Sequence, residues 1–267
     1  DDLKNMVHLA EESDLDLVLQ MIKKFNSQNK ELRFGNFIFG PVVMRMFYHL
    51  KATDKALEAF KDPDLSGFFD QLISYQLLMD LLYENHRYKD VLDVYEIVKT
   101  RQLQGGKYPK HVICLAFGAC YKMNSKESYD LALKLYHELN GVGHMPMRKV
   151  LTFAAGLALN QNAPHVALEI LTNTRDQHYL TVRNIKTMAF AAMGRPEDAL
   201  PILRSVLEID DPINKKRTFI KEAVESVRKA IEEPTKKEYE AEFSKISKFL
   251  YDHGHITDQT LDEILCT

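Results

Sequence analysis

The chain has 267 residues, of which 45% are hydrophobic and 27% charged, and its net charge is −3. That balance excludes a disordered chain, and its slight acidity argues against indiscriminate polyanion binding. No run of about 18 apolar residues is present, so no helix is expected to span a membrane.

Eleven Gly and nine Pro suit long helices better than turn-rich β architecture. Charge is uneven along the chain. Residues 1–73 carry 9 Lys/Arg against 12 Asp/Glu, residues 74–220 carry 19 against 15, and residues 221–267 carry 7 against 11. A mildly basic middle lies between acidic ends. Cys114, Cys120 and Cys266 are odd in number and lack metal-ligand spacing, so they read as reduced thiols in a reducing compartment. The chain opens Asp1-Asp2-Leu3 without Met, and we read it as a trimmed product whose targeting segment has been removed.

In chain order, residues 1–35 hold two short helical patterns, around Leu9 and from Leu15 to Phe25, with Ser13 as the expected N-cap. Five segments then share one pattern, with anchors at Ala56, Val91, Ala132, Ala167 and Ala199. Each anchor is followed by Leu and then by apolar residues three and four places on, which is one face of a helix. The spacings of 35, 41, 35 and 32 define one repeat. An apolar helical stretch precedes each anchor, as in Tyr75–Tyr83 and Ile185–Met193, and polar breakers such as Glu84–Arg87 and Gly194-Arg195-Pro196 separate the two. Each unit is therefore a helix, a turn and a second helix. One hairpin cannot bury its own apolar faces, but a stack can.

The predicted fold is an all-α, right-handed superhelical solenoid. Capping helices occupy 1–35, about five hairpins 36–212, and capping helices 213–267. In the last segment helices are expected from Ile213 to Ile231 and from Tyr239 to Tyr251, with a break at Glu233-Pro234. A final helix near Leu261 would be capped by Thr257 or Asp258.

The spacing resembles the pentatricopeptide repeat, a relative of the tetratricopeptide repeat. The family's opening Tyr stands sixteen residues before the anchor, as Tyr75 stands before Val91. Its closing Gly and Pro follow the anchor by eleven and fourteen, as Gly143 and Pro146 follow Ala132. Gly194 holds the family's Gly position five before Ala199. Pro109-Lys110 resembles a closing turn displaced by an insertion at Gly105-Gly106. The last unit, Gly194 to Pro212, is partly tetratricopeptide-like, and the resemblance covers about residues 36–212. It implies single-stranded RNA binding, RNA maturation or stability, and the mitochondrial matrix.

In that family the residue after the opening Tyr position can read one base. Here those positions hold Gln76, Leu115, Thr152 and Asn184. Leu115 cannot pair with a base edge, and the closing positions Lys110 and Met147 depart from the family's Asp or Asn. We therefore expect no base code over most of the chain, and phosphate contacts and shape instead. Arg148, Lys149, Arg183 and Lys186 form a candidate basic groove along two successive first helices. Lys99, Arg101, Lys107 and Lys110 flank the insertion as secondary phosphate contacts, and Lys215-Lys216-Arg217 is the densest basic run.

No catalytic motif is present, and we expect no catalysis and no cofactor. Asp198, Asp210 and Asp211 fit a capping turn better than a two-metal site. His253 and His255, and His111 with Cys114, do not complete a metal set. Two functions stay open: an RNA-binding adaptor whose partner is mitochondrial single-stranded RNA, and a tetratricopeptide-like scaffold that recruits an RNA-processing enzyme to its C-terminal helices.

Overall fold

A computed structural model describes residues 2–28, 37–101, 108–207 and 218–267. The described residues form fifteen α-helices, short 3-10 turns and one pair of two-residue strands, which is the all-α repeat architecture expected from the spacing. Packing separates two compact units, Asp1–Ala119 and Cys120–Thr267. Their boundary lies inside the helix Lys110–Met123. Among the described residues no helix is long and apolar enough to cross a membrane.

In the first unit α1 (Asp2–Leu9) and α2 (Leu15–Ser27) precede the repeats. Ser13 does not cap α2. It lies inside a 3-10 turn, Glu12–Asp14, and Asp14 takes the cap position, while the Glu11 N–H donates to the Asp14 carboxylate at 3.0 Å. The first hairpin is α3 (Gly40–His49) with α4 (Thr53–Lys61), and the second is α5 (Leu72–Glu84) with α6 (Tyr88–Thr100). Then comes α7 (Lys110–Met123) with α8 (Lys126–Gly141), followed by α9 (Arg148–Asn160) with α10 (Pro164–Thr172) and α11 (Leu180–Ala192) with α12 (Pro196–Arg204).

All five anchors lie on second helices and are buried, from 0% exposure at Ala56, Val91, Ala167 and Ala199 to 2% at Ala132. The side chains three and four places on form the rest of the buried stripe: Ala59 and Phe60, Val94 and Tyr95, Leu135 and Tyr136, Ile170 and Leu171, then Leu203. Burying a Leu, Phe or Val stabilises by about 1.5–3 kcal/mol each, so this stripe outweighs the weak helix propensity of its Val and Tyr residues.

The turns inside the hairpins follow one geometry. Lys51 (φ 51°), His86 (φ 59°), Asn162 (φ 56°) and Gly194 (φ 66°) each stand five residues before an anchor in the left-handed region. The next N–H reaches back five residues in every case: Ala52 to Phe47 O, Arg87 to Leu82 O, Ala163 to Ala158 O and Arg195 to Phe190 O, at 2.8 to 2.9 Å. This is the Schellman closure of a helix. The third hairpin differs. Asn124 takes positive φ, and Ser125 then caps α8 through a reciprocal pair with Ser128.

In the second unit the chain continues through β1 (Phe219–Ile220), α13 (Lys221–Ile231), α14 (Glu240–Asp252), β2 (Ile256–Thr257) and α15 (Leu261–Cys266). Of the helix expected from Ile213 to Ile231, residues 213–217 lie outside the described residues; Phe219 and Ile220 extend to pair in parallel with Ile256 and Thr257, and α13 follows from Lys221. The expected break at Glu233-Pro234 is a 3-10 turn, Pro234–Tyr239. The cap of the last helix is Thr260, whose hydroxyl accepts the Glu263 N–H at 3.2 Å; Thr257 is held in β2, which removes both Thr257 and Asp258 from that role. A single apolar cluster joins Ala199, Leu200 and Leu203 of the last hairpin to Phe219, Val224, Val227, Phe243, Ile246 and Leu250. The C-terminal helices are thus part of the stack's core.

Candidate nucleic-acid interface

The first helices α9 and α11 carry six of the predicted contact residues. Their common face is covered. Strand β1 and α13 pack on α11, and α15 packs on both α9 and α11. Phe219 and Ile220 are fully buried against this surface. On α9, Gly156 lies against α15: a Cβ there would stand 2.9 Å from Leu265 Cδ1 and 3.2 Å from Tyr121 Cε2. Lys122 grips both carboxylate oxygens of Asp262 at 2.6 and 2.8 Å, and the Leu261 N–H donates to Glu222 Oε2 at 3.3 Å.

That cover fixes the fate of the predicted readers. Thr152, one turn before Gly156, is 2% exposed, and its hydroxyl donates to Lys149 O at 3.1 Å. Asn184 is 0% exposed. Its Nδ2 donates to Leu180 O at 2.8 Å and its Oδ1 accepts the Ile220 N–H at 2.8 Å. Arg183 is also buried, with its guanidinium 5.0 Å from the Phe219 ring centroid. These three side chains have no open side for a base edge or a phosphate, which corrects the expected basic groove along α9 and α11. Lys186 is half-buried and donates to Gln177 Oε1, and burial lowers its pKa.

Arg148 and Lys149 stand differently. They begin α9, where the linker 142–147 enters it. Arg148 is exposed, and its guanidinium carbon lies 3.3 Å from the ring centroid of Tyr179, the residue preceding α11. Lys149 is half-buried, with Nζ 5.9 Å from the Phe153 ring centroid. The linker 173–179 brings a second arginine to the same edge: Arg175 Nη2 stands 3.4 Å from Met145 Sδ. Tyr179 and Arg175 are absent from the sequence-based site. Both lie in the linker 173–179 outside the helices, where helix periodicity gives no signal.

The first unit holds the remaining candidates. Gln76 is half-buried on α5 beside the fully buried Tyr75. Arg101, at the end of α6, pairs with Asp70 and donates to Tyr75 Oη at 2.6 Å, which commits it to the interior edge of α5. Burial pushes the Tyr75 hydroxyl up to about 12. Lys99 is half-buried, and Lys110 is exposed at the start of α7. Lys107, the insertion at Gly105-Gly106, Asp210-Asp211 and Lys215-Lys216-Arg217 lie outside the described residues. None of the three cysteines is in a disulfide, and burial pushes the Cys120 thiol up to about 12.

No model of a known protein family matches the sequence. Individual proteins do. The chain is 30% identical over 99% of its length to the Homo sapiens pentatricopeptide repeat-containing protein 2, mitochondrial, of which it spans 68%. The chain belongs to the pentatricopeptide repeat-containing protein 2 family. It is also 30% identical over 100% of its length to the Xenopus laevis protein of that name, spanning 69% of it, and 28% identical over 99% to the Danio rerio one, spanning 68%. Within this pentatricopeptide repeat framework, the buried anchors and the five positive-φ turns account for the repeat. Thr152 and Asn184, expected at reader positions, are buried.

Proposed function

We propose that the chain is a non-catalytic, single-stranded RNA-binding adaptor that acts in the processing, maturation or stability of mitochondrial RNA, in the matrix. Kinship with mitochondrial pentatricopeptide repeat proteins supports this reading. The observation that carries it is the exposed Arg148, stacked on Tyr179 with Lys149 and Arg175 beside it. Cations at an edge neutralise phosphates without reading sequence. Lys110 and Lys99 can add phosphate contacts in the first unit. Lys107 belongs with them by sequence.

Charge reversal tests this directly. The double variant Arg148→Glu, Lys149→Glu should lose at least about tenfold in RNA affinity, and the slope of log K against log salt should shrink by about 1.4, or 0.7 for each phosphate released. Unchanged affinity and slope would remove this edge from the interface.

A second reading, a scaffold that recruits an RNA-processing enzyme to the C-terminal helices, is favoured by one observation. A cavity of about 620 Å³ lies between α13 and α14, floored by Ile231 and Phe243 and rimmed by Arg228, Lys248 and Tyr251. Deleting these helices would unfold the core they share with α12, so surface variants are the suitable probe. Lys248→Glu with Tyr251→Ala should abolish capture of the enzyme while the fold stays intact; capture at wild-type level would count against this surface.

A further inference from the structure

We propose that the Arg148–Tyr179 pair is a stacking site for one unpaired nucleobase, with Arg175 and Lys149 taking the adjoining phosphates. The proposal rests on the RNA-binding reading and gives it a chemistry. Tyr179 is an aromatic residue left 39% exposed at the end of a linker, whereas Tyr121, Phe153 and Phe219 of the same unit are buried; Tyr251, on α14, is also exposed but has no such cationic partner among the described contacts. The Arg148 guanidinium carbon lies over one face of it, 3.3 Å from the ring centroid. A guanidinium stacked on an arene presents a planar cationic surface, and such surfaces take nucleobases by stacking and by cation–π attraction.

The surroundings match a base flanked by its backbone. Met145 and Val142 are 63% and 61% exposed on the adjacent linker and give an apolar border. Arg175 is exposed and its Nη2 lies 3.4 Å from Met145 Sδ, so its guanidinium is open to a phosphate. The carboxylate at this edge, Asp176, accepts the His178 N–H at 3.0 Å. Stacking on a π-face is tolerant of base identity. The site therefore replaces base reading, which the cover over Thr152 and Asn184 prevents, with sequence-tolerant capture at the edge of the repeats.

The test uses the full chain and three probes in fluorescence anisotropy: a short oligouridylate, an abasic ribose-phosphate oligomer of the same length, and an oligoglutamate competitor. Wild type should bind the oligouridylate about tenfold more tightly than the abasic oligomer, and oligoglutamate should compete poorly. Tyr179→Phe should keep that preference. Tyr179→Ala should erase it while its melting temperature stays within about 2 °C of wild type, a pattern that loss of folding would not give. Equal binding of intact and abasic probes by wild type, an unchanged preference in Tyr179→Ala, or oligoglutamate competing as well as RNA would overturn the stacking site and leave a plain charge contact. If wild type binds neither nucleic-acid probe at low salt, the RNA-binding reading falls with it.

Discussion

The Asn184 side-chain oxygen accepts the Ile220 N–H at 2.8 Å, while its amide nitrogen donates to Leu180 O at the same distance. A residue of the type the family uses to read a base is thereby spent inside the protein, tying β1 to α11. Asn184→Ala should destabilise the chain by about 2 kcal/mol, because it strands a buried backbone N–H. RNA affinity should stay at the wild-type value. Urea unfolding and RNA titration of the same preparation check both halves; a stable variant with lost binding would return Asn184 to the interface.

Gly156 makes a second prediction about the same cover. Its missing side chain lets Leu265 and Tyr121 close on α9. Gly156→Val should cost about 1–3 kcal/mol by overpacking and should raise hydrogen exchange in Leu261–Cys266 ahead of the rest of the unit. Uniform exchange with no local loosening would show that α15 does not depend on this contact.

The hairpin turns predict opposite effects of substitutions that touch the same backbone position. Lys51 carries a Cβ at φ 51°, whereas Gly194 takes φ 66° without one and nothing lies within 4 Å of the place its Cβ would occupy. Lys51→Gly should be neutral or stabilise by up to about 1 kcal/mol, and Gly194→Ala should destabilise by about 1 kcal/mol. Thermal melts of the two variants settle the sign. A destabilised Lys51→Gly would mean the lysine side chain holds that turn.

Asp80 gives a pH dependence. Its carboxyl is held above the usual range, first by burial and then by the nearby Glu84 charge, against the opposing hydrogen bond from Tyr48. A carboxyl raised in the folded state binds its proton more readily there than in the unfolded chain. Its penalty is full at neutral pH and fades as pH falls through the folded value towards the unfolded one. Asp80→Asn should therefore be more stable than wild type at pH 7, and the difference should shrink on acidification. A gain that grows at low pH would contradict the assignment.

Much of the fold was legible because the repeat is written in local pattern. Ala56, Val91, Ala132, Ala167 and Ala199 are small or β-branched residues at helix contacts, and their periodicity identified all five second helices. Gly194 announced its turn. Polar breakers such as Glu84–Arg87 placed the turn at His86 as well, but the positive φ of Lys51, His86 and Asn162 was not read from the sequence. The C-terminal cover was illegible for another reason. Amphipathicity showed that Ala223, Val224 and Val227 seek an apolar surface, but not that the surface would be α11. The reader positions were consequently misplaced: Thr152 and Asn184 have suitable chemistry, and burial by a segment far along the chain decides their role. At the start of α9 Arg148 stays exposed and Lys149 half-buried.

The most direct test of the account is a titration of the purified chain with single-stranded mitochondrial RNA at two salt concentrations, followed by sequencing of the retained RNA. An RNA-binding adaptor with a closed reading face should bind tightly, weaken steeply with salt and retain a pool without a fixed sequence register. Absence of binding at low salt would contradict the RNA-binding adaptor and favour the scaffold, and a retained pool with one invariant sequence register would contradict the closed reading face.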